Sequence, residues 1–542
     1  MNIKIKKNVI GCIRRVVHTA HKKERYMRKS RKTLSLLLSA VLAAGMLSGC
    51  GNQAVQQENA ESKTSESSTA VSDSSSEAGG SDVEIELVCG SAVTLPDENF
   101  LEEALAEAVG VKSVTMTILG AGTDYQTALN TRLSGGDIPD VFSIGNKEAL
   151  VPLVEEGLVL NLDNYREELS TVIEFAGGEE TMALDKYEGT WYLLPYKMKR
   201  DYSVWNIRQD WLDNLGLSAP TTFEELMDVC VAFTTGDPDG NGKNDTYGLS
   251  GAGLAAFNGV MTAAGGATSN LVLIRDGEVT SSLLLADEMK QGLSNAKALV
   301  DAGVVDPDII TNDDAALKEK LFQGKAGITT YAWSGINKQM FIDQYKGVNP
   351  NANWVAFEPV GENGLPSDIS GGQGTWVINA ALAEEPEKLS KIFDLLNYIA
   401  TPEGTNLVSY GIEGRHYNVE DGKIVPTELM SKECDFLWVY QMFNRNDEEY
   451  LSVKFPEAAQ SIAMNYSQDV YGFYNNAVIV PDGFYKADMD RYVSDNLTAF
   501  IYGERPIDEY EDFLQELEDL FQFESVYMES AKQQLQESGY LD

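Results

Sequence analysis

The chain has 542 residues, 83 Asp and Glu against 42 Lys and Arg, and a formal net charge of −41. Such a surface repels nucleic acid and anionic lipid, which excludes non-specific binding to either. With 3 histidines and 5 cysteines, and no HExxH, CxxC, GxSxG, Walker A or GxGxxG-helix pattern, histidine-rich zinc centres and the common catalytic motifs are excluded too.

The N-terminus carries a basic stretch (Arg28, Lys29, Arg31, Lys32), then an apolar run from Leu34 to Leu47, then Ser48-Gly49-Cys50. This is the layout of a secretory signal. A transmembrane anchor needs about 20 apolar residues, and this run is shorter. The Leu-Ser-Gly-Cys ending resembles the lipobox of bacterial lipoproteins. That resemblance implies cleavage before Cys50, lipid on Cys50, and tethering at the outer face of the cell membrane. Residues 1–49 are therefore read as signal peptide, with Met27 as an alternative start. Residues 1–49 hold 12 basic residues and one acid, so removing them leaves 30 basic against 82 acidic, a net of −52.

From Cys50 to about 82 the sequence is Ser-, Gln-, Glu- and Thr-rich, too poor in apolar residues to bury a core, and reads as a disordered linker. The rest is long enough for two or three lobes. Val83 to Leu87 alternates apolar and acidic and predicts a strand. Phe100 to Val109 predicts a helix, Val114 to Ile118 a second strand, Tyr125 to Leu133 a helix ended by Gly135-Gly136, and Pro139 to Ile144 a third strand. The alternation argues a largely parallel α/β lobe. Thr222 with Glu225 forms a capping box ahead of Phe223, Leu226, Met227, Cys230 and Phe233, which share a helical face. Leu389 to Ile399 repeats that pattern, Thr401-Pro402 marks a break, and Ile507 to Phe521 predicts an amphipathic helix docked on the body. Cys89, Cys230 and Cys434 read as buried thiols, and His416 as a hydrogen-bonded structural histidine.

Asp237, Asp239, Asn241 and Asp245 occupy positions 1, 3, 5 and 9 of an EF-hand-type loop, with Gly242 at position 6 and the Lys243 carbonyl at position 7. Position 12 is Gly248 where a bidentate Glu belongs, and Tyr247-Gly248-Leu249 reads as strand. The expectation is a structural Ca²⁺ site, the alternative a solvated turn.

Taken together, several stretches resemble the extracellular solute-binding lipoproteins (family 1, oligosaccharide type) of Gram-positive ABC importers. They are Gly136 to Phe142, Tyr187 to Pro195, Trp205 to Leu212, Pro220 to Glu225, the Asp237 loop with Asp245-Thr246-Tyr247-Gly248, Phe322 to Gly327 and Gly411 to Tyr417. The resemblance implies an α/β, two-lobed periplasmic-binding-protein-like fold of class II type, with discontinuous lobes, a hinge and an interlobe cleft. The expected division is 83–203 plus about 372–405 for the N-terminal lobe, and 204–371 plus about 406–542 for the C-terminal lobe. The implied function is capture of a carbohydrate, as a monomer, for delivery to a membrane permease.

A saccharide site wants aromatic platforms and fixed polar groups. The candidates are Tyr125, Trp191, Trp205, Trp333, Trp376 and Tyr417, with Tyr196 beside them. The polar partners are Asn146, Arg200, Glu413 and Arg415. Core packing is the alternative for each aromatic, and interlobe ion pairs for the two arginines. Two competing functions stay open: a secreted glycosidase or lyase using paired carboxylates, and a surface sugar sensor.

Overall fold

The computed structural model describes residues 81–541 except 146, 185, 199, 332, 362, 372 and 373, so Cys50 and Asn146 lie outside the described residues. The chain starts with β1 (Ser81–Cys89), α1 (Phe100–Val109), β2 (Val111–Ile118), α2 (Gly122–Ser134) and β3 (Val141–Ser143). It then crosses to β4 (Trp205–Arg208), α3 (Phe223–Thr235), β5 (Tyr247–Leu249), β6 (Ala326–Thr330), α4 (Gln339–Val348) and β7 (Trp354–Phe357). It returns with β8 (Trp376–Ile378) and α5 (Pro386–Ala400).

Two four-stranded sheets result, ordered β8-β3-β1-β2 and β7-β4-β6-β5. In the first, β1 runs parallel to both β2 and β3, and β8 closes the edge antiparallel, Trp376 opposite Ser143. Strand periodicity sends successive β1 side chains to opposite faces. Leu87 joins α1 (Leu101, Leu105) and α5 (Leu389, Ile392, Leu396). Val88 joins Phe142 and the Tyr125 and Leu129 side chains of α2. Glu86, which shares the Val88 face, is held by two 2.9 Å hydrogen bonds from Arg132 of α2. The acidic alternation noted in the sequence is thus satisfied by a cation on the covering helix.

In the second sheet Ile207, Leu249 and Ile328 pack with Leu226, Cys230 and Phe233 of α3. The Thr222 hydroxyl accepts from the Glu225 N–H at 3.2 Å, starting α3 as the capping box requires. Glu225 accepts from Thr221 (N–H and hydroxyl, 2.8 Å each), so the reciprocal half of the box falls one residue earlier than the motif. The C-terminal helices Lys486–Ile501, Tyr510–Phe521 and Glu529–Glu537 bury Leu497, Phe500, Phe513, Leu517 and Leu535 in this same core.

The division after 405 differs from expectation. Leu407, Tyr410, Tyr417, Tyr440, Leu451 and Ile462 all pack in the first core, and only later residues join the second. The chain therefore crosses between Leu194 and Trp205, between Leu365 and Trp376, and between Ile462 and Ala477.

These crossing segments are tied to one another. The Ser203 N–H donates to Asn465 at 2.8 Å, the Asp368 N–H to Asp201 at 3.1 Å, and the Asp201 N–H to the Ser367 hydroxyl at 3.3 Å. Arg200 donates to the carbonyls of Tyr466, at 3.2 Å, and of Gln468. These side-chain bonds add to a backbone ladder, Leu365–Asp368 running parallel to Val470–Phe473, so the buried polar groups of the crossing segments are paired.

Candidate functional site

In open α/β sheets, ligands bind beyond the carboxyl ends of the strands. A cavity of about 700 Å³ lies at that edge of the first sheet. Cys89 and Gly90 at the end of β1, Ser143 at the end of β3 and Trp376 at the start of β8 form its floor. Lys338 and Met340, at the start of α4, bring the second lobe to the same cavity. The remaining wall comes from Trp438, Arg445, Tyr450, Lys454 and Phe455 of the first lobe, with Tyr196 from a crossing segment. Trp438 is 47 % exposed and Met340 58 % exposed, so both offer open apolar surface, whereas Trp376 is 7 % exposed.

Gly90 is required at its position by packing. A Cβ there would meet the Tyr125 ring at 2.5 Å. Tyr125 itself is buried and donates its hydroxyl to the Ser143 carbonyl. It fixes β3 beside β1 and is part of the core under the cavity rather than its surface.

Two of the expected platforms are core residues for the same reason. Trp191 and Trp205 are fully buried. A Cβ on Gly259 would lie 2.3 Å from the Trp205 ring, and Phe357 meets that ring edge-on at 5.4 Å. Trp333 follows β6 in a short 3₁₀ turn, Trp333–Asn337, that leads to α4; its side chain lies outside the described residues. Of the residues singled out, Trp376 and Tyr196 line the cavity.

Arg200 belongs to the crossing segments and binds two backbone carbonyls there. Its Nε has no partner among the described groups, and burial lowers its pKa. Arg415 is held at the surface by Glu433 at 2.7 Å and lies over the Phe100 ring at 5.7 Å. It lines a separate groove with Phe100, Glu433 and Phe436. Glu413 is exposed, and Tyr417 is buried against Tyr410 at 6.0 Å. His416 is structural: buried, accepting from the Ile412 N–H at 2.8 Å on Nδ1, with Nε2 3.0 Å from Glu433 and the Phe100 ring 4.7 Å away. Cys89, Cys230 and Cys434 are free and buried, and burial pushes the first two thiols up to about 11 and about 12, so they are packing groups.

The sequence reading missed Trp438, Lys338, Arg445 and Lys454. Trp438 lies in the 3₁₀ turn Leu437–Tyr440, whose Leu-Trp-Val-Tyr run shows neither helical nor strand periodicity. Its neighbours Leu437, Val439 and Tyr440 are buried, and Trp438 alone of the four points outward. Lys338 is desolvated by the cavity wall, which pushes it down to about 8, and its Nζ lies 4.7 Å from the Phe455 ring centroid.

The Asp237 loop forms a tight turn around Asn241. Asp237 accepts from the Gly242 N–H at 3.0 Å, and the Asn241 amide donates to Asp239 at 2.7 Å and to Asp245 at 3.1 Å. Lys325 holds the other oxygen of Asp245 at 2.6 Å and lowers its pKa. Positive φ at Asp237, Gly240 and Gly242 folds the loop inward. Among the described residues no group of three or more His, Cys, Asp or Glu is spaced to hold a metal ion. The carboxylates here converge on N–H donors.

The pattern of the bacterial extracellular solute-binding proteins matches residues 96–406, more than half the chain. Lipoprotein LipO of Bacillus subtilis is 24 % identical over 403 residues, covering 70 % of this chain and 78 % of LipO. The fructooligosaccharide ABC transporter substrate-binding protein FusA of Streptococcus pneumoniae is 26 % identical over 263 residues, 45 % of this chain and 48 % of FusA. The solved structure of alginate-binding protein AlgQ2 without calcium ion superposes with a TM-score of 0.63 at 18 % identity, over 85 % of this chain and 100 % of AlgQ2. FusA in complex with kestose superposes with a TM-score of 0.61 at 19 % identity, over 84 % of this chain and 99 % of that one, and an EF-hand mutant of FusA superposes equally well. These structures share the two-lobed fold, and the chain belongs to the bacterial extracellular solute-binding proteins.

Proposed function

We propose that this chain is the substrate-binding component of an ABC importer and captures an oligosaccharide in the cavity between its lobes. The observation that carries this reading is the cavity itself: strand ends and Trp376 on its floor, half-open Trp438 on its wall, and the second lobe facing it through Lys338 and Met340. An exposed ring beside buried polar groups suits a sugar, which presents C–H faces and hydroxyls together. The segments crossing between the lobes supply the hinge on which such proteins close. FusA and AlgQ2 are named for fructooligosaccharide and alginate, which supports a saccharide ligand.

Binding, not turnover, is the activity. The permease partner, the monomeric state, and attachment to the outer membrane face through lipid on Cys50 belong to the same proposal. The basic and apolar segments before Cys50 support the last point, as does the lipoprotein LipO among the relatives. The lobe division proposed here follows the cores: 83–194 with about 376–462, and 205–365 with about 477–541. For the Asp237 loop we propose a structural Ca²⁺ ion held by Asp237, Asp239, Asn241, Asp245 and the Lys243 carbonyl. The oxygen spacing supports it, and filling the site requires Asn241 to turn its oxygen inward.

Thermal unfolding against a panel of mono- and oligosaccharides tests the main proposal, because a ligand of the native state raises the midpoint by mass action. A shift with one saccharide class and no product by chromatography is expected. Product formation, or no shift with any saccharide, overturns it.

A further inference from the structure

Around the interlobe cavity, cations outnumber acids, the reverse of the chain as a whole. The lining holds Lys338, Arg445 and Lys454 against one carboxylate, Asp435. The chain holds 42 basic and 83 acidic residues, so an even sampling of its surface gives more acids than bases. The lining of this cavity thus reverses the balance of the whole chain.

These cations are fixed in place. The Lys454 side chain is 5 % exposed, and its Nζ donates to the Cys434 carbonyl at 3.2 Å. Asp435, 4.0 Å away, is 83 % exposed and directed to solvent. Arg445 is 17 % exposed, pairs with Asp447 at 3.0 Å and lies 3.8 Å from the Tyr450 ring centroid. Lys338 reaches the cavity from the second lobe, against Phe455. Burial lowers the pKa of both Lys338 and Lys454, the mark of ammonium groups that have given up water. Charges desolvated in this way gain most from a counter-ion inside the same cavity.

We infer that the cavity takes an anionic saccharide, a sugar-ring carboxylate facing Lys338 of the second lobe and Lys454 of the first while the ring lies against Trp376 and Trp438. This rests on the carbohydrate-binding reading above.

The test is calorimetric titration of the intact chain with three probes: a hexuronic-acid trisaccharide, its full methyl ester, and a neutral hexose trisaccharide. The acid is expected to bind at least about tenfold more tightly than its ester, each tenfold being about 1.4 kcal/mol. Lys338→Gln is expected to lower the acid-to-ester affinity ratio to about threefold or less. Lys454→Met repeats the test from the first lobe, with its melting temperature measured first because the side chain is buried. Ester or neutral trisaccharide bound as tightly as the acid overturns the anionic inference and leaves the carbohydrate reading standing. An acid-to-ester ratio unmoved by Lys338→Gln overturns the assignment of the cations. Failure of all three probes and of a wider saccharide panel overturns the carbohydrate reading, and the inference with it.

Discussion

Replacing Trp438 with Ala tests where the ligand sits. Trp438 is 47 % exposed in the free protein. A tryptophan presents up to about 250 Å², so about 120 Å² of it stands open. A sugar stacked on one ring face covers roughly half of that, about 60 Å². At about 25 cal/mol per Å² this contributes about 1.5 kcal/mol, or roughly tenfold in Kd. Folding stability should fall as well, by up to about 3 kcal/mol, because roughly half of the side chain is buried, so binding is read under conditions where the variant stays folded. Calorimetric titration with the saccharide that most raises the wild-type midpoint, alongside urea unfolding, reads both quantities. Trp438→Phe should recover half or more of the lost binding energy. A Kd for Trp438→Ala within about twofold of wild type refutes the placement of the ligand on this ring.

Other substitutions probe the scaffold. Arg200→Met removes charged donors from the Tyr466 and Gln468 carbonyls and should destabilise the chain by about 2 kcal/mol in urea, with looser coupling of the lobes. Asp306 is 2 % exposed; burial alone raises its pKa, but Lys320, Ser250 and Asn312 outweigh that and hold it low. It therefore contributes stability above about pH 4 that is lost as pH falls through its lower native value, and Lys320→Met should cost about 3 kcal/mol at pH 7 and raise the pH of acid unfolding. Calcium should raise the wild-type melting temperature, and Asp239→Ala should abolish that rise; equal shifts in both proteins contradict the loop assignment. Burial pushes Lys338 down to about 8, with Asp435 and Glu457 favouring its charge and Lys318 opposing it. Binding of an anionic saccharide should accordingly weaken as pH rises from about 7 to about 9, while a neutral one holds its affinity.

The fold was legible where a local rule acts on one side chain at a time. Alternation from Val83 to Leu87 predicted β1, because one face packs on α1 and α5 and the other meets Arg132 of α2. Thr222 and Glu225 marked the start of α3, and the Ile507 to Phe521 stripe marked a helix whose Tyr510, Phe513 and Leu517 are buried. The lobe boundary was not legible. Residues 407–462 carry no signal of which sheet they pack on, since an apolar helix face suits either core. The site was legible in part. Trp376 and Tyr196 line the cavity, but Trp191 and Trp205 have the same composition and are core. Burial separates them, and burial is a property of the assembled lobes. Arg200 was a candidate polar partner for the ligand or for an interlobe ion pair; its partners are instead carbonyls 266 and 268 residues away in sequence, which no local pattern reveals. Trp438 and the cavity lysines gave no periodic signal, because turns at sheet edges obey none.

The most direct measurement is a crystal structure of the chain with the saccharide that gives the largest thermal shift. The account predicts the sugar between the lobes, one ring against Trp376 and Trp438, with Lys338 and Lys454 within hydrogen-bond distance of its polar groups. A sugar bound instead in the other groove between the lobes, lined by Lys186, Tyr187, Ile479 and Gln534, or on the outer surface by Arg415, contradicts it.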